Sequence, residues 1–223
     1  MNRNKMILTA AALIAVLTFG SVLSGCSKKE ENPASSSAPA LTTPSPEDIE
    51  NAPELTLEIT PDKMGQSVDE VLKSLNLSKN DVEKKELPNG NIEYTFKSKQ
   101  PDGKETTTTI TADSSDTLIG NNNKRVFTDG KTGYDTVKLL KLSLIKALGK
   151  SPEYYPNLQA GLDNMPSYEE IMATGENQFY YDIWKKVDGT SDLKLQAVFL
   201  TDGSATVTMD IIGQPEASAK PKA

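Results

Sequence analysis

The region between residues 54 and 213 carries hydrophobic patterns whose period changes several times along the chain. Leu55, Leu57 and Ile59 alternate with polar residues, which predicts a strand at the start of the region. The spacing Ser67-Val-Asp-Glu70 is that of a capping box and predicts the first turn of a helix. The apolar residues that this helix would bury on one face are Val68, Val71, Leu72 and Leu75.

Three β-patterns follow this helix. Residues 82–87 form a short run before Pro88-Asn89-Gly90, a strong turn signal, and the next strand alternates at Ile92, Tyr94 and Phe96. Residues 105–112 include five threonines, which favour a strand but supply little apolar surface. We therefore expect one face of this strand to meet water.

The next segment, residues 120–133, is polar and rich in asparagine and glycine, which predicts a loop. Thr132 or Asp135 is then expected to cap a helix that ends at Leu148, with Gly149 as its C′ residue. The apolar face of this helix comprises Val137, Leu140, Leu144, Ile145 and Leu148.

A second capping box, Ser167-Tyr-Glu-Glu170, predicts a short helix that runs to Ala173. Alternating patterns then predict strands at residues 178–187, 193–201 and 204–212. Asp202-Gly203 between the last two strands favours a type I′ hairpin turn.

Together these elements predict the α+β fold class, with antiparallel β-meanders packed on helices. Residues 54–120 and 121–213 share an order of helix, aromatic strand, Asp-Gly turn and second strand. Two interpretations stay open. The halves are a duplicated αβββ-type unit, or two hairpins resemble each other because both obey the same β-pattern rules.

The N-terminal residues 1–25 form an export signal, in which Arg3 and Lys5 precede an uncharged run. The run ends in Leu23-Ser24-Gly25-Cys26, which resembles the lipobox of bacterial lipoprotein precursors. That resemblance implies that diacylglycerol is attached to the sulfur of Cys26 and that cleavage makes Cys26 the N-terminus. The alternative is an uncleaved signal anchor with a bystander cysteine.

Residues 26–53 are rich in Ser, Pro and Ala, and they predict an unfolded tether that follows the lipidated cysteine. Residues 214–223 are expected to be an unfolded tail. The predicted location is the extracytoplasmic face of a membrane. A Gram-positive plasma membrane is favoured, and Ser27 after the cysteine leaves outer-membrane sorting open.

Composition narrows the possible chemistry. The 223 residues include no His and one Cys, which excludes a Ser-His-Asp triad, imidazole metal ligands, internal disulfides and cysteine zinc cages. A net charge of −7 argues against a nucleic-acid partner, because phosphate binding needs a basic face. The membrane, reached through Cys26, is the expected partner surface.

Sequence motifs supply no catalytic residue, cofactor or metal site. The acidic segments at residues 129–135 and 188–192 lack the ligand spacing of an EF-hand and are interpreted as turns. The chain has no Walker loop, GxGxxG motif or GxSxG elbow. We therefore expect a protein that is not an enzyme.

Aromatic residues are concentrated just before and within the strand predicted at residues 178–187. Because neighbouring strand residues point to opposite faces, Phe179 and Tyr181 facing the core would place Tyr180 and Trp184 on the other side. Tyr180, Trp184 and Tyr155 are thus the candidate binding surface for a protein, peptide or glycan. The alternative is that these side chains pack in the core.

The order of helix and meander is similar to small lipoproteins of the outer-membrane-assembly type and to β-lactamase-inhibitor-protein-like domains. Residues 65–77, GQSVDEVLKSLNL, resemble the opening helix of those domains. The resemblance implies a binding role without catalytic residues.

The leading hypothesis is a lipid-anchored extracytoplasmic binding or assembly module. Two alternatives are an extracytoplasmic hydrolase that uses carboxylates and a small solute-binding component of a transporter. An enzyme should show a cleft with two facing acids, whereas a binding module should expose an apolar or aromatic patch.

Overall fold

The computed structural model describes residues 44–55, 57–99, 105–153 and 161–213. The predicted signal, Cys26, the first part of the tether, Tyr155 and the C-terminal tail lie outside these residues.

A seven-stranded antiparallel sheet dominates the part of the chain that the structure describes. Its strand order is β1-β2-β3-β4-β7-β6-β5, so two meanders, β1–β4 and β5–β7, join through their last strands. The α+β prediction is confirmed. The strands are β1 (Glu83–Glu86), β2 (Ile92–Lys99), β3 (Glu105–Ala112), β4 (Leu118–Phe127), β5 (Gln178–Trp184), β6 (Asp192–Phe199) and β7 (Ala205–Ile212).

Helices precede and separate the two meanders. They are α1 (Pro46–Glu50), α2 (Val68–Ser74), α3 (Gly130–Leu148) and α4 (Tyr168–Ala173), with short 3₁₀ turns at Pro61–Lys63 and Leu162–Asn164. Among the described residues, no helix is both long enough and apolar enough to cross a membrane.

Both capping-box helices form as expected. The Ser67 side chain accepts the amide N–H of Glu70 at the start of α2, and Ser167 and Glu170 form a reciprocal box at the start of α4. The C-terminal end of α3 is also confirmed, because Gly149 adopts the left-handed conformation with φ 63°. The N-terminal end differs from the prediction. Asp129 caps α3, three residues before Thr132, and its carboxylate accepts the Lys131 N–H at 3.2 Å.

The predicted loop at residues 120–133 is wrong, because most of it forms β4. This strand lies inside the sheet and pairs with β3 on one side and β7 on the other. Hydrogen bonds to both neighbouring strands satisfy the backbone N–H and C=O groups of β4. This pairing outweighs the weak β-propensity of three consecutive asparagines. The boundary proposed between residues 120 and 121 therefore falls within a strand.

The predicted strand at Leu55, Leu57 and Ile59 is also wrong. The segment instead crosses from one apolar cluster to another. Leu55 and Leu57 pack against the α3 cluster, whereas Ile59 is fully buried with α2. Its alternating pattern reflects contact with two helices rather than sheet pairing.

The folded part begins earlier than the predicted tether allows. Ser45 caps α1 with a complete capping box, and Ala52 is buried. The ammonium group of Lys146 on α3 donates hydrogen bonds to the carbonyl oxygens of Glu50 and Ala52, both at 2.8 Å. The prediction that the unfolded tether extends to residue 53 is therefore wrong at its C-terminal end.

The 201–204 turn forms a hairpin of a different type from the prediction. A type I′ turn needs positive φ at both central residues, but only Gly203 has positive φ, at 85°. The Leu200 N–H donates to the carbonyl oxygen of Ser204 at 2.9 Å, and the Gly203 N–H donates to the carbonyl oxygen of Leu200 at 3.0 Å. This pattern fits a three-residue loop with a glycine bulge.

Candidate functional site

One face of the sheet is covered by helices. Strand register places the apolar residues of β2 and β3 on the same side as those of β5, β6 and β7. Helix α2 packs on the first group and α3 on the second, which gives two clusters on one sheet face. We call this side the helix-covered face.

The other side, here called the open face, consists mainly of residues that are partly or fully exposed, although Asp192 at the end of β6 is buried. Its members are Thr95, Lys97, Thr107, Thr109, Thr111, Asn122, Lys124, Val126, Phe179, Tyr181, Ile183, Lys194, Gln196, Val198, Thr206, Thr208, Asp210 and Ile212.

Much of the open face is polar and internally paired. The hydroxyl oxygens of Thr95 and Thr109 lie 3.0 Å apart across β2 and β3, within hydrogen-bond distance. Lys97 forms an ion pair with Glu105 at 2.6 Å, and Asn122 donates a hydrogen bond to Asp210. Such a surface is typical of an antiparallel sheet with one face in water.

One end of the open face departs from this pattern. The register aligns Phe179 of β5, Val198 of β6, Thr206 of β7 and Val126 of β4 in a row across four strands. Phe179 is 57% exposed and Val126 is 63% exposed. At the usual strand spacing this row, the apolar strip, is roughly 14 Å long.

Two aromatic rings extend the apolar strip along β5. The rings of Phe179 and Tyr181 are parallel to within 4°, with centroids 6.3 Å apart. The ammonium group of Lys194 lies 4.9 Å from the Tyr181 centroid. The rings thus form a flat, partly polar surface beside the strip.

The prediction that Tyr180 and Trp184 form an exposed surface is wrong. Trp184 is 0% exposed and Tyr180 is 9% exposed. The Trp184 indole N–H donates to the carbonyl oxygen of Lys150 at 3.1 Å. Phe179 and Tyr181 do not face the core as supposed, and the alternative interpretation, core packing, holds for Tyr180 and Trp184. Phe179 and Tyr181 are the exposed pair, and Tyr155 lies outside the described residues.

The inward position of Asp182, between Tyr180 and Trp184, explains this error. The ammonium nitrogen of Lys141 on α3 lies 2.5 Å from a carboxylate oxygen of Asp163 and 2.7 Å from one of Asp182. All three side chains are buried. Asp182 also accepts the Leu162 N–H at 3.1 Å. Burial raises the pKa of the Asp182 carboxyl, and Lys141 opposes that rise.

This arrangement is a buried ion-pair network that ties α3, β5 and the Leu162–Asn164 turn together. Asp163 and Asp182 share one cation, so their charges stabilise that junction. Asp163 and Lys141 border a pocket beside α1, but Asp182 does not, so the two carboxylates do not face each other across a cleft as the acid pair of a glycosidase would.

The acidic segment at residues 188–192 forms a turn, as predicted, but the turn predicted at residues 129–135 is wrong, because these residues form the N-cap and first turns of α3. Partial burial tends to raise the pKa of the Asp188 carboxyl, but hydrogen bonds from Ser191 and Thr190 outweigh it and lower the pKa to about 2. Among the described residues, no group of three or more His, Cys, Asp or Glu could hold a metal ion.

Compared with protein-family models, curated proteins and solved structures, the chain matches none of them. The lipobox and helix-plus-meander resemblances therefore rest on the sequence motifs alone.

Proposed function

We propose that this protein is a lipid-anchored extracytoplasmic binding module that docks a protein partner through the apolar strip. The lipobox pattern at Cys26 supports the anchor. The exposure of Phe179 and Val126 carries the docking assignment, because these large apolar side chains lie in one row with Val198 at one end of a mainly polar face.

The layout of the open face favours a protein over a sugar or a charged polymer. Protein interfaces combine an apolar, aromatic centre with a polar rim. The apolar strip and Tyr181 supply the centre. Thr208 lies in the next row, and Lys194 and Asp210 lie in the row after it. Val126 offers aliphatic surface, which contributes to protein docking through desolvation but gives a sugar no ring to stack on.

The predicted anchor limits where the partner lies. Ser45, the cap of α1, lies nineteen positions after Cys26. A fully extended chain of that length spans roughly 65 Å. The partner is therefore a protein of the same membrane surface or of the layer directly above it.

Site-specific photocrosslinking tests the docking surface. A photoreactive residue is placed at Val126, or at Thr109 as a control on the same face, in the full-length protein in its native membrane. We expect a protease-sensitive adduct of one defined mass from position 126 and none from position 109. In the protein with the photoreactive residue at position 126, a further Phe179→Ser substitution should remove the adduct, whereas a further Thr95→Ser substitution should not.

Two outcomes would contradict the proposal. Equal adducts from positions 126 and 109 would indicate non-specific contact. An adduct that glycosidases remove and proteases do not would identify a glycan in place of a protein.

A further inference from the structure

A small pocket lies on the helix-covered face, where the chain segment that begins at Leu55 passes between α3 and the sheet. Its volume is about 90 Å³. One water molecule needs about 10–15 Å³ on a comparable measure, so the pocket has room for a group of several heavy atoms. Apolar side chains make up most of its lining, and they are Leu55, Leu57, Leu140, Val207 and Met209.

The charged groups that line this pocket balance each other. Glu58 supplies a carboxylate and Arg125 supplies a guanidinium. The guanidinium carbon lies 5.5 Å from the centroid of the Phe127 ring, so this cation already has a partner within the protein. An ion that leaves water needs an opposite charge to compensate for lost hydration, and the pocket offers neither sign in excess. The lining therefore favours an uncharged ligand group.

One hydroxyl group places an acceptor and a donor side by side. The Thr108 hydroxyl oxygen lies 2.9 Å from the Asn123 amide oxygen and 3.4 Å from a carboxylate oxygen of Glu58. Its single hydrogen is donated mainly to the nearer oxygen, so the Glu58 carboxylate keeps acceptor capacity and the Asn123 NH₂ group serves as a donor. Both Glu58 and Asn123 line the pocket. An uncharged group that pairs with both through one N–H and one C=O is an amide.

We propose that this pocket binds the acetamido group of an N-acetylated ligand. The carbonyl oxygen of that group accepts a hydrogen bond from the Asn123 NH₂ group, and its N–H donates to Glu58. Its methyl group packs against Leu57 and Leu140, which removes apolar surface from water. Glu58 is exposed, so the rest of the ligand extends past it into solvent.

Two classes of molecule carry this group, the N-acetylhexosamines and peptides with an acetylated N-terminus. Their acetamido chemistry is the same, so the test includes one of each. The pocket lies on the opposite side of the sheet from the apolar strip. Its failure and the failure of the proposed docking function are therefore separate results.

The test is a titration of the full-length protein in detergent micelles with N-acetylglucosamine and with N-acetylalanine methylamide, followed by NMR. Glucose and alanine methylamide, which lack the acetamido group, are the controls. We expect saturable shifts of the Leu57 and Leu140 methyl groups with at least one acetylated compound, and at least tenfold weaker binding of its control. A tenfold preference corresponds to about 1.4 kcal/mol. The compound that binds identifies whether a sugar or a peptide carries the group.

Matched variants on the two faces of the sheet identify the site. Asn123→Asp keeps the side-chain shape but replaces the donor with an acceptor, and it should weaken binding at least tenfold. Gln196→Glu makes the same exchange on the open face and should leave binding unchanged. Glu58→Leu removes the acceptor at an exposed position, where folding tolerates the change, and it should weaken binding at least fivefold.

Two results would overturn the proposal. The first is the absence of saturable binding by both acetylated compounds, or binding of the controls with equal affinity. The second is unchanged affinity in a folded Glu58→Leu protein, since the acetamido N–H would then have no partner in this pocket.

Discussion

At the residue scale, Lys141 and Asp182 decide which side of β5 is buried. A carboxylate inside a protein is costly unless a cation and hydrogen-bond donors compensate for lost hydration. Asp182 has both, from Lys141 at 2.7 Å and from the Leu162 N–H at 3.1 Å. The two partners lie far from Asp182 in sequence, so a local pattern cannot reveal that this charged residue faces inward.

Lys141→Met tests this network. Removing the cation leaves two buried carboxylates, so the free energy of unfolding at pH 7 should fall by about 3–5 kcal/mol in urea denaturation. Lys138→Met, one turn earlier on α3 at an exposed position, should change it by less than about 0.5 kcal/mol.

The pH dependence separates electrostatics from packing in this variant. Without Lys141 the folded-state pKa of the Asp182 carboxyl rises further, and the cost is present only while that carboxylate is charged. The difference in the free energy of unfolding between the variant and the wild type should therefore be smaller at pH 4 than at pH 7. A deficit that is the same at both pH values would show that lost packing, rather than unpaired charge, destabilises the variant.

At the element scale, α3 lies unusually close to the sheet because a glycine faces β7. A Cβ atom added at Gly133 would come within 2.6 Å of the Ala205 Cβ and 3.4 Å of the Phe127 ring. Both small residues are therefore needed for this helix to approach the sheet.

Gly133→Ala should destabilise the protein by about 1–3 kcal/mol in thermal or urea unfolding, although alanine has the higher helix propensity. The reason is that the Ala205 Cβ is fixed to the backbone, so α3 must shift away from β7. Ala205→Gly in the same chain should restore part of the loss. In Gly120→Ala, the new Cβ meets no atom closer than 3.6 Å, and that variant should be neutral or more stable. A stability gain in Gly133→Ala would contradict the close packing.

At the scale of the whole molecule, one sheet has two different surfaces. The helix-covered face contains both apolar clusters, whereas the open face is mainly polar apart from the apolar strip, Ile183 and Ile212. The short outer strand β1 carries only Lys and Glu, all exposed, which discourages edge-to-edge pairing with other chains. These features favour the open face, rather than that edge, as the surface for the proposed protein partner.

The anchor is tested by Cys26→Ser with Ser27→Ala as the matched control. Two or three acyl chains hold a protein firmly on a bilayer, since each buried CH₂ contributes about 0.8 kcal/mol. We expect Cys26→Ser to abolish incorporation of a labelled fatty acid and to block processing, whereas Ser27→Ala should do neither. A processed, membrane-bound Cys26→Ser protein would contradict the lipoprotein hypothesis.

Much of the fold could be predicted from short-range signals. The caps at Ser67 and Ser167, the left-handed Gly149 and the last three strands agree with the sequence patterns because each depends on neighbours within a few residues. The candidate surface could not be predicted in the same way. A period of two shows that Phe179 and Tyr181 share a face, but it does not show which face the helices cover.

The sequence by itself determined the α+β class, most helix ends and the turn positions, and it predicts an export signal with a lipid-modified Cys26. Only the tertiary structure decided that residues 118–127 form a strand, that α1 belongs to the fold, and that Phe179 and Tyr181 are exposed. The physical reason is that these outcomes depend on partners distant in sequence. Strands β3 and β7 supply the hydrogen-bond partners of β4. Lys146 binds the end of α1, and Lys141 neutralises Asp182.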